Sequence, residues 1–307
     1  MLSVVVPTYR KSARLRLMLT SVISLSRTLS REIEIIVVDD GGDTDLEGIV
    51  DQAMPGDVLP IVRIVKIAHG GRSVARNVGA RNARYERVLF LDDDVLLSPG
   101  VLETHLAYAK QQRIDCVRGT ILSFPWLRAF EDPERGILTE QATRSLGDES
   151  ATGLRTRTIR LDETGTIDSS VAAFAKIGRF EKDIHAWLSR PLHMSGRWVG
   201  ATGAHLSVNK ATMFDLGGFD ESMGLRWGAE DLEFGYRAER AGLPLVHAPE
   251  AVVYHMDHDT CGRERDHEVA FEYFSQKHGD SGILKVLSYF SGQCTLSEAF
   301  AICVPQA

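Results

Sequence analysis

No run of 18 or more apolar residues occurs in this 307-residue chain, so the sequence offers no transmembrane helix. The start, Met1 to Pro7, lacks a basic segment ahead of a long apolar stretch, which excludes a signal peptide. Cysteine is scarce: Cys116, Cys261, Cys294 and Cys303 are scattered with no C-x-x-C pair, and they read as reduced thiols of a cytoplasmic protein. A basic excess is missing too. With 42 acidic against 35 basic side chains the net charge is −7, which argues against broad binding to nucleic-acid phosphates. No repeat or low-complexity segment breaks the pattern.

What remains is ordinary globular composition, 44% hydrophobic and 25% charged, at a length suited to one large α/β domain. The first 120 residues alternate β-branched runs with helical patterns, which predicts βαβ units on a parallel sheet. Leu2 to Pro7 reads as the first strand. Leu15, Met18, Leu19, Val22 and Ile23 then share one face of a helix. Strands follow at Ile33 to Val38, Ile61 to Ile67 and Val88 to Leu91, with a helix carrying Val74, Ala75, Val78 and Ala83 before the last of these. Ser98-Pro99 reads as an N-cap and N1 proline opening a helix to about Gln111, and Cys116 to Leu122 as a fifth strand.

Residues 124–196 are richer in proline and polar side chains, with a helix expected over Ser170 to Ser189, and read as an insertion. Alternation returns at Trp198 to Val208. A helix over Glu230 to Ala241 and a strand over Leu245 to Tyr254 follow. Residues 261–307 read as a helical extension whose aromatics, taken as exposed, would suit a homodimer contact.

Four stretches carry chemistry. Val88-Leu89-Phe90-Leu91-Asp92-Asp93-Asp94 delivers three carboxylates to a strand end, a repulsive arrangement that a divalent cation would relieve; a solvated acidic turn is the plain alternative. Asp39-Asp40-Gly41-Gly42 ends the second strand, where ligands of open α/β sheets bind, or else forms an Asx turn. His69 to Gly79 is glycine-rich ahead of a helix, and Arg72 and Arg76 lie four apart, placed to meet a diphosphate or to pair with Asp92 to Asp94. This stretch is neither a dinucleotide fingerprint nor a phosphate-binding P-loop.

The fourth, Trp227-Gly228-Ala229-Glu230-Asp231, puts two acids in the first turn of a helix. The helix dipole stabilises them as anions there, and Asp231 could equally serve as a general base. The dipole lowers its pKa and water exclusion by Trp227 raises it; the sequence leaves the winner open. His255 or His258 could complete a cation site. Zinc through His258 and Cys261 lacks a fourth ligand at sensible spacing.

Together these stretches resemble glycosyltransferase family 2, enzymes of the GT-A fold. Val4 to Arg10 is similar to the family's opening strand and turn, with Arg10 where asparagine is common. Val37 to Gly41 looks like its base-binding strand end, Gly71 to Asn77 its G-x-x-x-A-R-N stretch, and Asp92-Asp93-Asp94 its D-x-D motif. Thr202 to His205 and Gly217 to Glu221 resemble acceptor-side segments. Trp227 to Asp231 matches the tryptophan-glycine-glycine-glutamate-aspartate motif, with Ala229 for the second glycine.

The resemblance implies a Rossmann-like, mostly parallel central sheet flanked by helices over residues 1–260. A nucleotide-sugar half would span about 1–124 and an acceptor half about 196–260. It implies a nucleotide-sugar donor, most often a UDP-sugar, bound by Pro7, Thr8, Tyr9, Asp39, Asp40, Arg72, Arg76, Asp92 and Asp93. Mn²⁺ or Mg²⁺ would sit on Asp92, Asp94 and His255. Asp231, with Glu230 beside it, would deprotonate an acceptor hydroxyl held near Gly203, Trp227 and Gly228, giving inversion. The acceptor would be a glycan, a lipid-linked sugar or a natural product, with peripheral membrane contact left open. A retaining transferase, a sugar nucleotidyltransferase and a non-catalytic sugar-binding protein of the same fold are the rivals.

Overall fold

The computed structural model describes residues 1–29, 32–42, 45–53, 60–111, 114–145, 148–259 and 262–301. In chain order the first half gives β1 (Leu2–Thr8), α1 (Ser12–Ser26), β2 (Ile33–Asp40), α2 (Leu46–Ala53), β3 (Ile61–Ile67), α3 (Arg72–Asn82), β4 (Arg87–Leu91), β5 (Val95–Leu97), α4 (Val101–Ala109) and β6 (Cys116–Ser123). A two-stranded ribbon of β7 (Phe130–Asp132) and β8 (Ile137–Leu138) follows. After it come α5 (Glu140–Ser145), α6 (Asp148–Arg155), α7 (Ser169–Ala172) and α8 (Arg179–Leu188). Then come β9 (His205–Asn209), α9 (Lys210–Asp215), α10 (Glu230–Arg240) and β10 (Leu245–His255), and finally α11 (Glu264–His278), α12 (Gly282–Phe290) and α13 (Leu296–Ala301).

Eight strands form one sheet in the order β3-β2-β1-β4-β9-β6-β10-β5. β3, β2, β1 and β4 run parallel, as the alternating pattern predicts. β9 enters antiparallel between β4 and β6, and β5 pairs antiparallel with β10. The strands that carry Asp39-Asp40 and the three aspartates therefore end on one edge, with the end of β1 between them. One sheet face packs α1, α2 and α4. The other packs α3 and the helices from α8 onward. No helix among the described residues is long and apolar enough to cross a membrane.

Several local expectations change. Ser98 is not an N-cap: its N–H donates to the Val252 carbonyl (3.0 Å) and its carbonyl receives Val101 N–H (3.4 Å). Pro99 and Gly100 (φ 88°, ψ −8°) thus turn as the centre of a type II turn, and α4 starts one residue later. The helix expected over Ser170 to Ser189 is two helices, because Lys176 is committed to a backbone bridge with Ser123 (2.7 and 2.8 Å). Between Trp198 and Val208 only His205 onward is strand; Arg197–Gly200 is a buried 3-10 turn.

On α3 the buried residues are Ser73, Ala75, Arg76, Asn77, Gly79 and Ala80, while Val74 and Val78 are half-buried and Ala83 lies beyond the helix end. Small side chains there let α3 lie close against the sheet. Val95–Leu97 forms an extra strand that the apolar run after the aspartates had not marked. The C-terminal aromatics also face inward. Phe271, Phe274 and Tyr289 are fully buried against the main core, so these three are not the exposed aromatics on which the dimer expectation rested.

Candidate active site

The three aspartates after β4 have three different fates. Asp92 stays partly exposed and accepts a hydrogen bond from Arg76 Nη2 (3.1 Å). Asp93 is buried and accepts from Thr8 Oγ1 (2.8 Å) at the end of β1. Asp94 is also buried: its Oδ2 lies 2.6 Å from Lys11 Nζ and 3.2 Å from His258 Nε2, and its Oδ1 lies 3.4 Å from His255 Nε2 without a hydrogen bond. Burial works against the Lys11 ammonium, yet the charges of Asp93 and Asp94 outweigh it and raise its pKa. Burial likewise opposes ionised Asp94, but Lys11 and the two histidines hold it well below the usual carboxylate range.

Ligand atoms of Asp94, His255 and His258 all lie within 4.8 Å of one another. His255 Nδ1 is engaged by Asp257 Oδ1 (2.8 Å), which leaves Nε2 facing Asp94. Buried Arg14 donates to the carbonyls of Leu127, Phe130, Met256 and Asp257 and so fixes the segment that carries both histidines. One carboxylate with an orphaned buried oxygen and two imidazoles fit a divalent cation. Asp92, expected among the ligands, is engaged by Arg76 and is not one of the three residues whose ligand atoms cluster; His258 is. Cys261, considered with His258 for zinc, lies outside the described residues.

Beside this cluster opens a cleft of about 310 Å³ lined by Thr8, Tyr9, Lys11, Asp40, Arg72 and Asp92, among others. Asp40 does not point freely into it. Its carboxylate accepts from the backbone N–H of Gly70 (2.7 Å) and Gly71 (3.0 Å), which pins the loop before α3. Asp39 accepts from Gly42 N–H (2.8 Å) and does not line the cleft, so the turn alternative describes it better. Tyr9 stacks on His69 with centroids 4.1 Å apart. Pro7 lines the same cleft.

A second cleft of about 360 Å³ adjoins the first and holds Asp231, Glu230, His255, His258, Trp227 and Gly228. Arg72, Asp92, Trp227 and Arg263 line both. Ala229 sits at φ 67°, in the left-handed conformation the motif's glycine would suit; the other non-glycine residue with positive φ among the described residues is Arg10 (φ 56°). Both departures from the family pattern thus keep the backbone shape that the missing asparagine and glycine would favour.

Asp231 Oδ2 accepts from Gly203 N–H (2.9 Å) and Oδ1 from Leu232 N–H (2.8 Å). Burial, then the charge of Glu230, pushes its pKa up to about 6. Burial and Glu230 therefore outweigh Arg76 and the two backbone N–H donors. Burial also opposes ionised Glu230, but Arg76 outweighs it and lowers the pKa. Arg76 is itself buried, with Nη1 on Glu230 (2.8 Å), so it ties the two halves of the site together and is not free to meet a ligand. Gly203 lies behind Asp231 and lines neither cleft. A Cβ there would lie 2.3 Å from the Arg76 guanidinium carbon.

The residues singled out in sequence thus converge, with Asp39, Gly203 and Arg76 turned to support. Lys11, His69, Arg263 and His267 join the clefts without prior notice. Each is a single polar residue in a loop or helix start, with no periodicity to mark it.

The model for glycosyl transferase family 2 matches residues 3–181. YfnE, an uncharacterized glycosyltransferase of Bacillus subtilis (strain 168), is 26% identical over 302 residues, covering 94% of this chain and 74% of the relative. Validoxylamine A glucosyltransferase of Streptomyces hygroscopicus subsp. jinggangensis (strain 5008) is 29% identical over 276 residues, 87% of this chain but only 57% of the relative. Among solved structures, GalNAc-T7 with UDP, GalNAc and Mn²⁺ superposes with a TM-score of 0.56 at 17% identity, covering 100% of this chain and 52% of that one. The architecture is the GT-A fold of these glycosyltransferases.

Proposed function

Because this chain belongs to glycosyl transferase family 2, we propose that it moves a sugar from a UDP-sugar to an acceptor hydroxyl with inversion at the anomeric carbon. One observation carries the reading: Asp231, poised near neutrality, lines the second cleft together with His255 and His258 of the Asp94 cluster, and that cleft shares Arg72, Asp92, Trp227 and Arg263 with the first. The first cleft would take the nucleotide, with Pro7, Thr8, Tyr9, Asp40 and Arg72 along its wall. The second would take the acceptor against Trp227 and Gly228. UDP and Mn²⁺ in the GalNAc-T7 structure support the donor and cation classes.

Asp94, His255 and His258 would hold Mn²⁺ or Mg²⁺, which when bound offsets charge on the departing diphosphate. Asp231 accepts the proton of the acceptor hydroxyl as its oxygen bonds to the anomeric carbon. The bond from that carbon to the diphosphate oxygen breaks, and its electron pair leaves with the nucleotide diphosphate. Lys11 and Thr8 hold the buried aspartates in place.

Purified protein should hydrolyse a UDP-sugar slowly, lose that activity in EDTA and regain it with Mn²⁺. Asp231→Asn should lower acceptor transfer by about 10²–10⁴-fold while UDP affinity survives. Turnover unchanged in that variant would remove Asp231 from its role.

A further inference from the structure

Most cations around the clefts are neutralised by a carboxylate, as Arg76 is by Asp92 and Glu230. Arg72 and Arg263 are not paired in this way, although Glu230 feels the charge of Arg72, and Asp94, Asp259 and Asp266 that of Arg263. Among the described residues neither side chain makes a hydrogen bond or ion pair, and both lie against the Trp227 ring, at 5.8 and 5.4 Å from its centroid. Both line both clefts. Burial, then repulsion from Arg72, lowers the Arg263 pKa. Two guanidinium groups near enough to repel each other cost free energy in the empty protein, which their more distant carboxylates offset only in part. That cost is recovered when an anion lies between them, and planar guanidinium forks match phosphate oxygens.

The seam between the clefts also fixes which anion. With the nucleotide in the first cleft and the acceptor in the second, the breaking bond must lie where they meet. The outer phosphate of the donor is bonded to the transferred sugar, so it must lie at the seam. We infer that Arg72 and Arg263 clamp this outer phosphate, and that the C-terminal extension thereby contributes a donor-binding residue to the site. The inference rests on the donor reading above and adds to it a residue from outside the family-like region. A donor bound between the two arginines ties the start of α11 to the start of α3.

The test is calorimetric titration of UDP and UMP, each with Mn²⁺, into the wild type, Arg263→Gln and Arg263→Lys. The glutamine variant should lose about tenfold or more in UDP affinity while UMP affinity stays within about twofold, since only UDP carries the outer phosphate. Lysine should restore part of the loss as a point charge. UDP should slow amide exchange at the start of α11 in the wild type and not in the glutamine variant. Equal UDP affinity in the wild type and Arg263→Gln would overturn the clamp, as would equal losses for UDP and UMP. Should the glutamine variant melt early, the same comparison of UDP with UMP in Arg263→Lys decides the matter. A wild type that binds neither UDP nor GDP with Mn²⁺ would sink the donor reading itself, a result distinct from failure of the clamp alone.

Discussion

Acidity should switch the reaction off through Asp231, and Glu230 should set where. A base with a pKa near 6 is about 90% ionised at pH 7 and about 9% ionised at pH 5, so turnover at saturating donor, acceptor and Mn²⁺ should fall about tenfold over that interval. Protonation of His255, which burial opposes and the charges of Asp94 and Asp257 favour, would also lower activity in acid, so the wild-type profile alone does not assign the group. Glu230→Gln does. Burial is the larger cause of the raised Asp231 pKa and persists in this variant; the neighbouring negative charge is the second and is removed. Arg76, no longer shared with an ionised Glu230, then acts more fully on Asp231. The midpoint of the acid limb should move down from about pH 6 in Glu230→Gln. Glutamine can still accept from Arg76 Nη1, and a circular dichroism melt would verify that the site stays folded. An acid limb that stays in place in Glu230→Gln would refute the reasoning. Stability follows with a defined sign. The folded pKa of Asp231 lies above its unfolded value, so this group's contribution to stability falls as pH rises from about 4 to about 6. The melting temperature of Asp231→Asn should accordingly gain on the wild type across that window.

Asp94→Ala should weaken Mn²⁺ binding by one to two orders of magnitude, read by Mn²⁺ electron paramagnetic resonance, since it removes the carboxylate from a three-residue cluster; wild-type Mn²⁺ affinity would refute the cluster. Gly203→Ala puts a Cβ within 2.3 Å of the Arg76 guanidinium and should cost about 1–3 kcal/mol in urea unfolding, with turnover falling because Asp231 loses its Gly203 N–H alignment.

The donor half was the most legible part of the chain. Apart from the half-exposed edge strand β3, its strands are buried on both faces, and their unbroken β-branched runs read directly from residues such as Ile35 to Val38. The acidic strand ends were legible for the same reason, because a charge following a buried strand has few places to go. The ligand set was less so. Whether Asp92 or His258 completes the cluster depends on Arg76, which arrives from α3 and takes Asp92 away. That competition is between residues 16 positions apart in one case and 154 in the other, and no local pattern records it. The break after Ala172 was hidden because it depends on a backbone bridge between Lys176 and Ser123. The inward turn of the C-terminal aromatics was hidden because their partners lie in α8, α10 and the Arg197–Gly200 turn.

Arg76 makes the two halves poor candidates for independent exchange. It rises from the nucleotide side, is boxed in by Gly203, and shares its charge between Asp92 and Glu230. A chimaera that grafts a relative's second half onto this first half would therefore need an acid at position 230 and glycine at position 203. Otherwise it would inherit an unmatched guanidinium in its interior. If the second cleft takes the acceptor as proposed, its preference would be set by wall residues such as Phe180, His267 and Phe290, whereas the charged hinge between the halves must change as a set or stay as it is.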